Sequence, residues 1–145
     1  MSATVYEQDF DVWALHNAEL LRQGRLTEID AEHIADELES MGKRDRRELL
    51  SRLKILIGHM LKWRFQPTQR CSSWRGSIIE QRLQVHDLLD DNPNLRQPLP
   101  QLPGVAYPDA VKLASKETGL PPSVFPVDCP YTVEQLLNDD FFSET

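Results

Sequence analysis

Cysteine is nearly missing from this 145-residue chain: Cys71 and Cys129 are too few and too far apart for a disulfide framework or a zinc-ligand set, so both are read as reduced thiols. No apolar run approaches the ~20 residues that span a bilayer. The start MSATVYEQDFDVW has no basic region followed by an apolar one, so the expectation is an untargeted, cytoplasmic protein with no membrane partner. The sequence also lacks a glycine-rich phosphate loop and a Gly-x-Ser-x-Gly elbow, which disfavours nucleotide hydrolysis and serine-hydrolase chemistry. His-Glu-x-x-His and repeated Glu-x-x-His pairs are missing as well, and no cofactor is expected.

What is present is charge, and it is segregated. Residues 1–42 hold two arginines against ten acids, residues 43–82 hold eleven Lys or Arg against three acids, and residues 83–145 hold three against ten. A middle of +8 therefore lies between flanks of −8 and −7, within a net charge of −7. Such a pattern either neutralises itself through exposed pairs, each contributing ~0 to 1 kcal/mol, or presents a basic face to an anionic partner.

The apolar pattern is helical throughout, and 145 residues suit one domain with one core. Tyr6, Phe10, Trp13, Leu20 and Leu21 predict a first helix over 6–23 with Gly24 at its end, and Asn17 falls inside that stripe. Asp30 is the expected cap of a second helix that ends at Gly42, with Ile29 and Ile34 as a staple, Ile34, Leu38 and Met41 as a buried edge, and Glu32, Asp36 and Glu39 in water. A third helix is expected from Lys43 to Gln66, with Leu49, Leu50, Leu53, Leu56, Ile57, Met60 and Leu61 as a wide core stripe.

Pro67 stops that helix, and Ser72 or Ser73 is the expected cap of a fourth, with Trp74, Ile78, Gln81, Val85, Leu88 and Leu89 inward. Ile79 and Leu83 form a second apolar side, expected to lie under the C-terminal segment rather than in a homodimer interface. NPNLRQPLPQLPGVAYP carries five prolines and is expected to wrap without a stable helix, with Pro108 in the first turn of a fifth helix that Gly119 ends. Thr132 with Gln135 marks a capping box for a short last helix, after which Phe141 and Phe142 pin the tail. The fold class is thus all-α: a four-helix-bundle-like core, a proline-rich wrapping segment and short C-terminal helices.

The candidate chemistry sits between residues 43 and 82. A polar line, Arg52, Ile55, His59, Lys62 and Gln66 flanked by Trp63, follows steps of three and four beside the leucine stripe. Such a line serves one partner or is a boundary strip whose stems pack while the heads reach water. Arg64, Arg70, Arg75 and Arg82 interleave with Trp63 and Trp74, types that hold phosphates and stack on bases. The acidic flanks and a pI near 5.0 disfavour nucleic acid, so an acidic protein is the favoured partner, and the expected binding residues are Lys62, Trp63, Arg64, Gln66, Arg70, Trp74, Arg75, Gln81 and Arg82.

A catalytic alternative, a small hydrolase or nuclease, uses His59 as general base, Lys62 and Arg70 as anion clamps and Glu37 as an orienting group. A metal version would gather His33, Glu37, His59 and His86, although His33 and Glu37, four apart, more simply pair with each other. A third reading makes His59, Lys62, Gln81 and Arg82 a structural network, to be recognised by an Arg82 bridge to Glu37 or Glu39 below the surface.

HMLKWRFQPTQRCSSWRGSIIEQR, preceded by IADELESMGKRDRREL and followed by ETGLPPSVFPVDCPYTVEQLLNDDFF, resembles the bacterial domain of unknown function 29 family over nearly the whole chain. The resemblance implies a small helical bundle and carries no activity with it. Pro98 to Pro103 depart from similar proteins, which are more helical there.

Overall fold

The computed structural model describes residues 2–142, and side chains from Val5 onward. It is all-α, with no strand among the described residues. The helices are α1 (Ser2–Gln8), α2 (Phe10–Arg22), α3 (Ala31–Phe65), α4 (Ser72–Asp91), α5 (Leu102–Thr118) and α6 (Val133–Leu137), joined in part by short 3₁₀ turns. The chain divides into two compact units, Met1–Lys43 and Arg44–Thr145. Helix α3 begins in the first and ends in the second. No helix of the described residues is long and apolar enough to cross a membrane.

In the first unit the single helix expected over 6–23 is two. Asp9 leaves helical geometry at φ −144° and ψ 86°, and its carboxylate accepts from the Val12 backbone N–H at 3.1 Å. One capping residue thus breaks an otherwise unbroken apolar rhythm. Helix α2 ends as expected, with Gly24 at φ 73°, its N–H on Leu21 O and that of Arg25 on Leu20 O, the paired bonds of a Schellman motif. Trp13 and Leu20 are buried, while Phe10 and Leu21 are exposed. Asn17 is buried and fully engaged: its Nδ2 donates to Trp13 O at 2.9 Å, and its Oδ1 accepts from Asp30 N at 2.8 Å.

The expected boundary at Gly42 and Lys43 does not exist, because α3 runs through it for 35 residues. Glycine in a helix interior costs about 1 kcal/mol relative to alanine, and the Glu, Met, Lys and Arg residues around Gly42 are good enough helix formers to outweigh that. Nor are Leu38 and Met41 a buried edge: they are 63% and 51% exposed. Glu32, Asp36 and Glu39 are exposed, as their pattern suggests.

The second unit holds the main core. Leu49, Leu53, Leu56, Ile57, Met60 and Leu61 of α3 are completely buried against Ile78, Val85 and Leu89 of α4 and Ala106, Ala110 and Ala114 of α5. The three alanines repeat every four residues and let α5 approach α3 at Gly58, where an added Cβ would stand 2.8 Å from Leu113 Cδ2 and 3.5 Å from Ala110 O.

Helix α5 corrects the expectation that the proline stretch excludes a helix up to Pro108. It starts at Leu102 with Pro103 in its first turn, where the missing N–H has no intrahelical partner to lose, and Pro108 lies inside it. The carbonyl that Pro108 leaves unpaired belongs to Gly104, and both residues are exposed. Upstream, Pro93–Arg96 and Leu99–Gln101 form 3₁₀ turns.

Two further expectations on α4 fail. The helix begins at Ser72 with Cys71 as its cap and no side-chain capping bond, so neither serine caps it. Ile79 and Leu83 are 42% and 56% exposed, so the C-terminal segment does not cover them. The end of the chain follows its pattern. Gly119 closes α5 at φ 77°, and Thr132 and Gln135 form a capping box at α6.

Candidate functional site

Helix α3 ends at Phe65, and its last turn presents Lys62, Trp63 and Arg64 beside the Pro67–Gln69 turn that leads into α4. Gln66 is half-buried at the start of that turn, its backbone N–H on Lys62 O. Arg70 folds back over the helix end. Its Nε donates to Trp63 O at 2.7 Å, one of the carbonyls that a helix C-terminus leaves unpaired, and its guanidinium lies 5.0 Å from the Trp63 ring centroid. The Trp63 ring meets Phe142 of the tail at 5.4 Å, and Arg75 of α4 lies 4.8 Å from the Phe142 centroid.

The result is a continuous ladder, Arg70, Trp63, Phe142, Arg75, in which each guanidinium sits within cation–π range of a ring. Arg64 lies 5.0 Å over Phe65. Among the described residues no carboxylate stands within ion-pair distance of Arg64, Arg70 or Arg75. Arg75 is exposed, and Arg64 and Arg70 are half-buried.

Lys62 behaves differently. It is 4% exposed, its Nζ donates to Glu117 Oε1 at 2.6 Å and it lies 4.7 Å from the Trp74 ring centroid. Its charge is therefore matched inside the unit by a carboxylate of α5, a residue absent from every sequence-based candidate set. Trp74 is half-buried and serves as a wall for this pair. His59, one turn earlier, directs Nδ1 at Ile55 O (3.0 Å). Burial pushes its imidazole below the ordinary range and Lys62 acts in the same direction, while the Ile55 carbonyl and Glu117 oppose them.

Arg82 is the most deeply placed of the predicted residues, at 1% exposure. Its Nε donates to Leu136 O at 2.8 Å, and its Nη2 donates to Gln135 O at 3.1 Å and to Phe141 O. His86, one turn along α4, has Nε2 at 3.0 Å from Leu137 O. Arg82 and His86 thus take up Leu136 O and Leu137 O at the end of the five-residue α6, where Gln135 O also accepts from the Asn138 N–H. Arg82 Nη1 and Gln81 Oε1 are buried without a partner among the described residues. Burial also pushes the Arg82 guanidinium's pKa down from its ordinary value. The acceptors of Arg82 are backbone carbonyls and the Met60 sulfur of its own unit, in place of the Glu37 or Glu39 carboxylate expected of a structural network.

The remaining candidates belong to the first unit. His33 and Glu37 do not pair with each other. His33 Nδ1 meets Asp30 Oδ2 at 2.7 Å, and Glu37 accepts a hydrogen bond from the Tyr6 hydroxyl. Asp30 also accepts from Trp13 Nε1 at 2.9 Å, and the Tyr6 ring stacks on His33 at 4.0 Å. Asp30 raises the His33 pKa, while the bonds from His33 and then Trp13 lower that of Asp30. No group of three or more His, Cys, Asp or Glu among the described residues is placed to hold a metal ion, and His33, Glu37, His59 and His86 each make a hydrogen bond within their own unit instead.

Open clefts lie within each unit. One of about 490 Å³ in the first unit is lined by Trp13, His16, Asn17, Glu28 and Asp30 among others. One of about 610 Å³ in the second includes Pro100, Pro103, Tyr107, Pro108, Cys129 and Tyr131 in its lining. The Tyr107 hydroxyl donates to Pro126 O at 2.6 Å, and burial pushes its pKa up to about 12. The Tyr131 hydroxyl donates to Met60 O at 3.2 Å. Both phenols are thereby committed to the protein's own carbonyls.

Sequence reasoning missed Glu117 and the ring slot of Phe142, because both partners come from distant chain segments and neither carries a local motif. No curated protein and no solved structure matches this chain. The family model described as "Domain of unknown function DUF29" matches residues 5–142, nearly the whole chain, and the chain belongs to that family.

Proposed function

We propose that the second unit is a binding module for an anionic partner, with an acidic protein segment favoured over nucleic acid. The observation that carries this reading is the Arg70, Trp63, Phe142, Arg75 ladder, with Arg64 nearby, because its guanidiniums rest on rings and have no carboxylate partner among the described residues. Stacking on an aromatic face orients a guanidinium and lowers the entropy lost when its N–H fork meets a carboxylate. Three other cations of the unit are matched by its own carboxylates: Lys54 with Asp109, Arg52 with Glu48 and Lys62 with Glu117. What sets the arginines of the ladder apart is that rings hold their guanidiniums while no carboxylate among the described residues pairs with them, and an external anion is the simplest group that completes them.

The acidic flanks argue against a long nucleic acid, whose phosphates they would repel. The catalytic alternative keeps one favourable observation, a half-buried His59 whose imidazole is held neutral beside Lys62 and Glu117. Its expected third member, Glu37, is instead engaged by Tyr6.

The test is fluorescence anisotropy with a labelled glutamate-rich peptide and a labelled single-stranded oligonucleotide. The wild type should bind the peptide in a salt-sensitive way and more tightly than the oligonucleotide. Replacing Arg64, Arg70 and Arg75 together by Gln should remove that binding while the far-UV circular dichroism stays the same. Equal binding by the folded triple variant sinks the reading, and a preference for the oligonucleotide transfers it to nucleic acid.

A further inference from the structure

We propose that the face of α4 carrying Arg75, Arg82 and His86, with Trp63 of α3 beside it, is a receptor for an acidic segment with adjacent aromatic residues, and that the chain's own tail occupies it in cis. This rests on the anionic-partner reading and names the chemistry of the partner.

Residues 138–142 read Asn-Asp-Asp-Phe-Phe, an acidic and aromatic segment lying against the most basic third of the sequence. Its attachment has two parts. The first is made by backbone: Arg82 holds Phe141 O of the segment, while it and His86 also hold Gln135 O, Leu136 O and Leu137 O of α6, which leads into it. The bond to Phe141 O is indifferent to side-chain identity, so another extended segment can make it, as in other modes of peptide recognition. The second part is specific. The Phe142 ring lies 4.8 Å from the Arg75 guanidinium, 5.6 Å from that of Arg82 and 5.4 Å from the Trp63 ring, so it fills a slot that selects an aromatic side chain. Asp139 Oδ1 adds an acid 3.8 Å from His86 Nε2 while staying largely in water.

The tail fills this face incompletely. Arg82 is a buried cation whose hydrogen-bond acceptors are backbone carbonyls and the Met60 sulfur, and its Nη1 has no acceptor among the described residues. Hydrogen bonds from a guanidinium to a carboxylate are about twice as strong as those between neutral groups. A partner segment that places a ring where Phe142 lies, and a carboxylate at Arg82 Nη1, therefore supplies what the tail does not. It would enter by displacing residues 138–142, and the tail sets the threshold that the partner must exceed.

The experiment uses the full chain, wild type and Phe142→Ala, with a fluorescein-labelled peptide Asn-Asp-Asp-Phe-Phe-Ser followed by anisotropy. The Phe142→Ala protein, with its slot emptied but its backbone kept, should bind the peptide about tenfold or more tightly than the wild type. Adding Arg75→Glu should abolish the gain. In case Phe142→Ala fails to fold, hydrogen exchange on the wild type gives the second readout: excess peptide should speed exchange at the Phe141 and Phe142 amides. Equal affinity of the folded variant and the wild type, or unchanged tail exchange with peptide bound, overturns the proposal. A control peptide Asn-Asp-Asp-Ala-Ala-Ser that binds as well as the aromatic one also overturns it, while leaving the anionic reading in place. Failure of every acidic peptide to bind folded protein overturns both.

Discussion

Each unit gathers aromatic rings around charge, but with opposite sign and opposite completeness. In the first, Tyr6, Trp13 and His33 surround Asp30 and Glu37, and both carboxylates are engaged by side chains of the same unit. In the second, Trp63, Phe65 and Phe142 support Arg64, Arg70, Arg75 and Arg82, and no carboxylate among the described residues pairs with any of them. The acidic cluster is consumed in joining α1, α2 and the start of α3. The basic cluster leaves donors over. The first cluster satisfies itself and is architecture; the second does not, and it is the face we propose for an anionic partner.

The largest expected effect lies where the second cluster reaches the core. Arg82→Met removes a buried charge but takes the donor from Leu136 O and Phe141 O, Gln135 O keeping the Asn138 N–H, and each unmet buried group costs ~1 to 3 kcal/mol. The folded state should lose about 3 kcal/mol or more, seen as a lower urea midpoint, and a neutral result would mean that the α6 carbonyls find other donors. Core truncation by Leu53→Ala should cost ~2 to 5 kcal/mol by the same measurement. Such losses would contrast with Arg75→Gln, where an exposed cation–π contact worth about 0.5 to 1 kcal/mol is removed. If Arg75→Gln destabilised as much as Arg82→Met, the distinction between clamp and surface would collapse.

Two histidines sharpen the comparison through pH. In nuclear magnetic resonance titrations His33 should titrate above the ordinary histidine value because Asp30 stabilises its charged form, and His59 below it because burial disfavours charge. The sign follows for stability. His33 contributes below its unfolded pKa, and that contribution fades as pH rises through its raised folded value. Asp30, with a lowered folded pKa, contributes above its unfolded value and loses this as pH falls through the folded one. His59 works the other way: its neutral form is favoured in the fold, so acidification through its pKa range destabilises the second unit. Asp30→Asn should return His33 toward the ordinary value and leave His59 unmoved. The smallest effect is a gain: Gly42→Ala fills open space within α3 and should stabilise by up to about 1 kcal/mol. A loss there would mean that the helix is not continuous at Gly42.

The core was legible because its signals are periodic and local. The leucine stripe from Leu49 to Leu61, the Schellman end at Gly24 and the Thr132 capping box all repeat at fixed offsets that backbone geometry dictates. The helix boundaries were less so, since they depend on competing small terms: one aspartate at position 9 interrupts a strong rhythm, whereas Gly42 and Pro108 fail to. The site was legible in its residue types and opaque in its pairings. Lys62 finds Glu117 and Arg82 finds Phe141 across 55 and 59 positions, and no local pattern encodes either. A charged residue at position 82 beside an apolar stripe gives no sign that it will be more deeply buried than Trp74.

The most direct test of the anionic face is to follow the arginine Nε–H signals by nuclear magnetic resonance while a glutamate-rich peptide is added. The signals of Arg64, Arg70 and Arg75 should shift together and saturably, with Arg25 and Arg52, already paired to Glu28 and Glu48, staying in place. Shifts concentrated instead at Arg44, Arg46 and Arg47, or spread evenly over all arginines, would contradict the account.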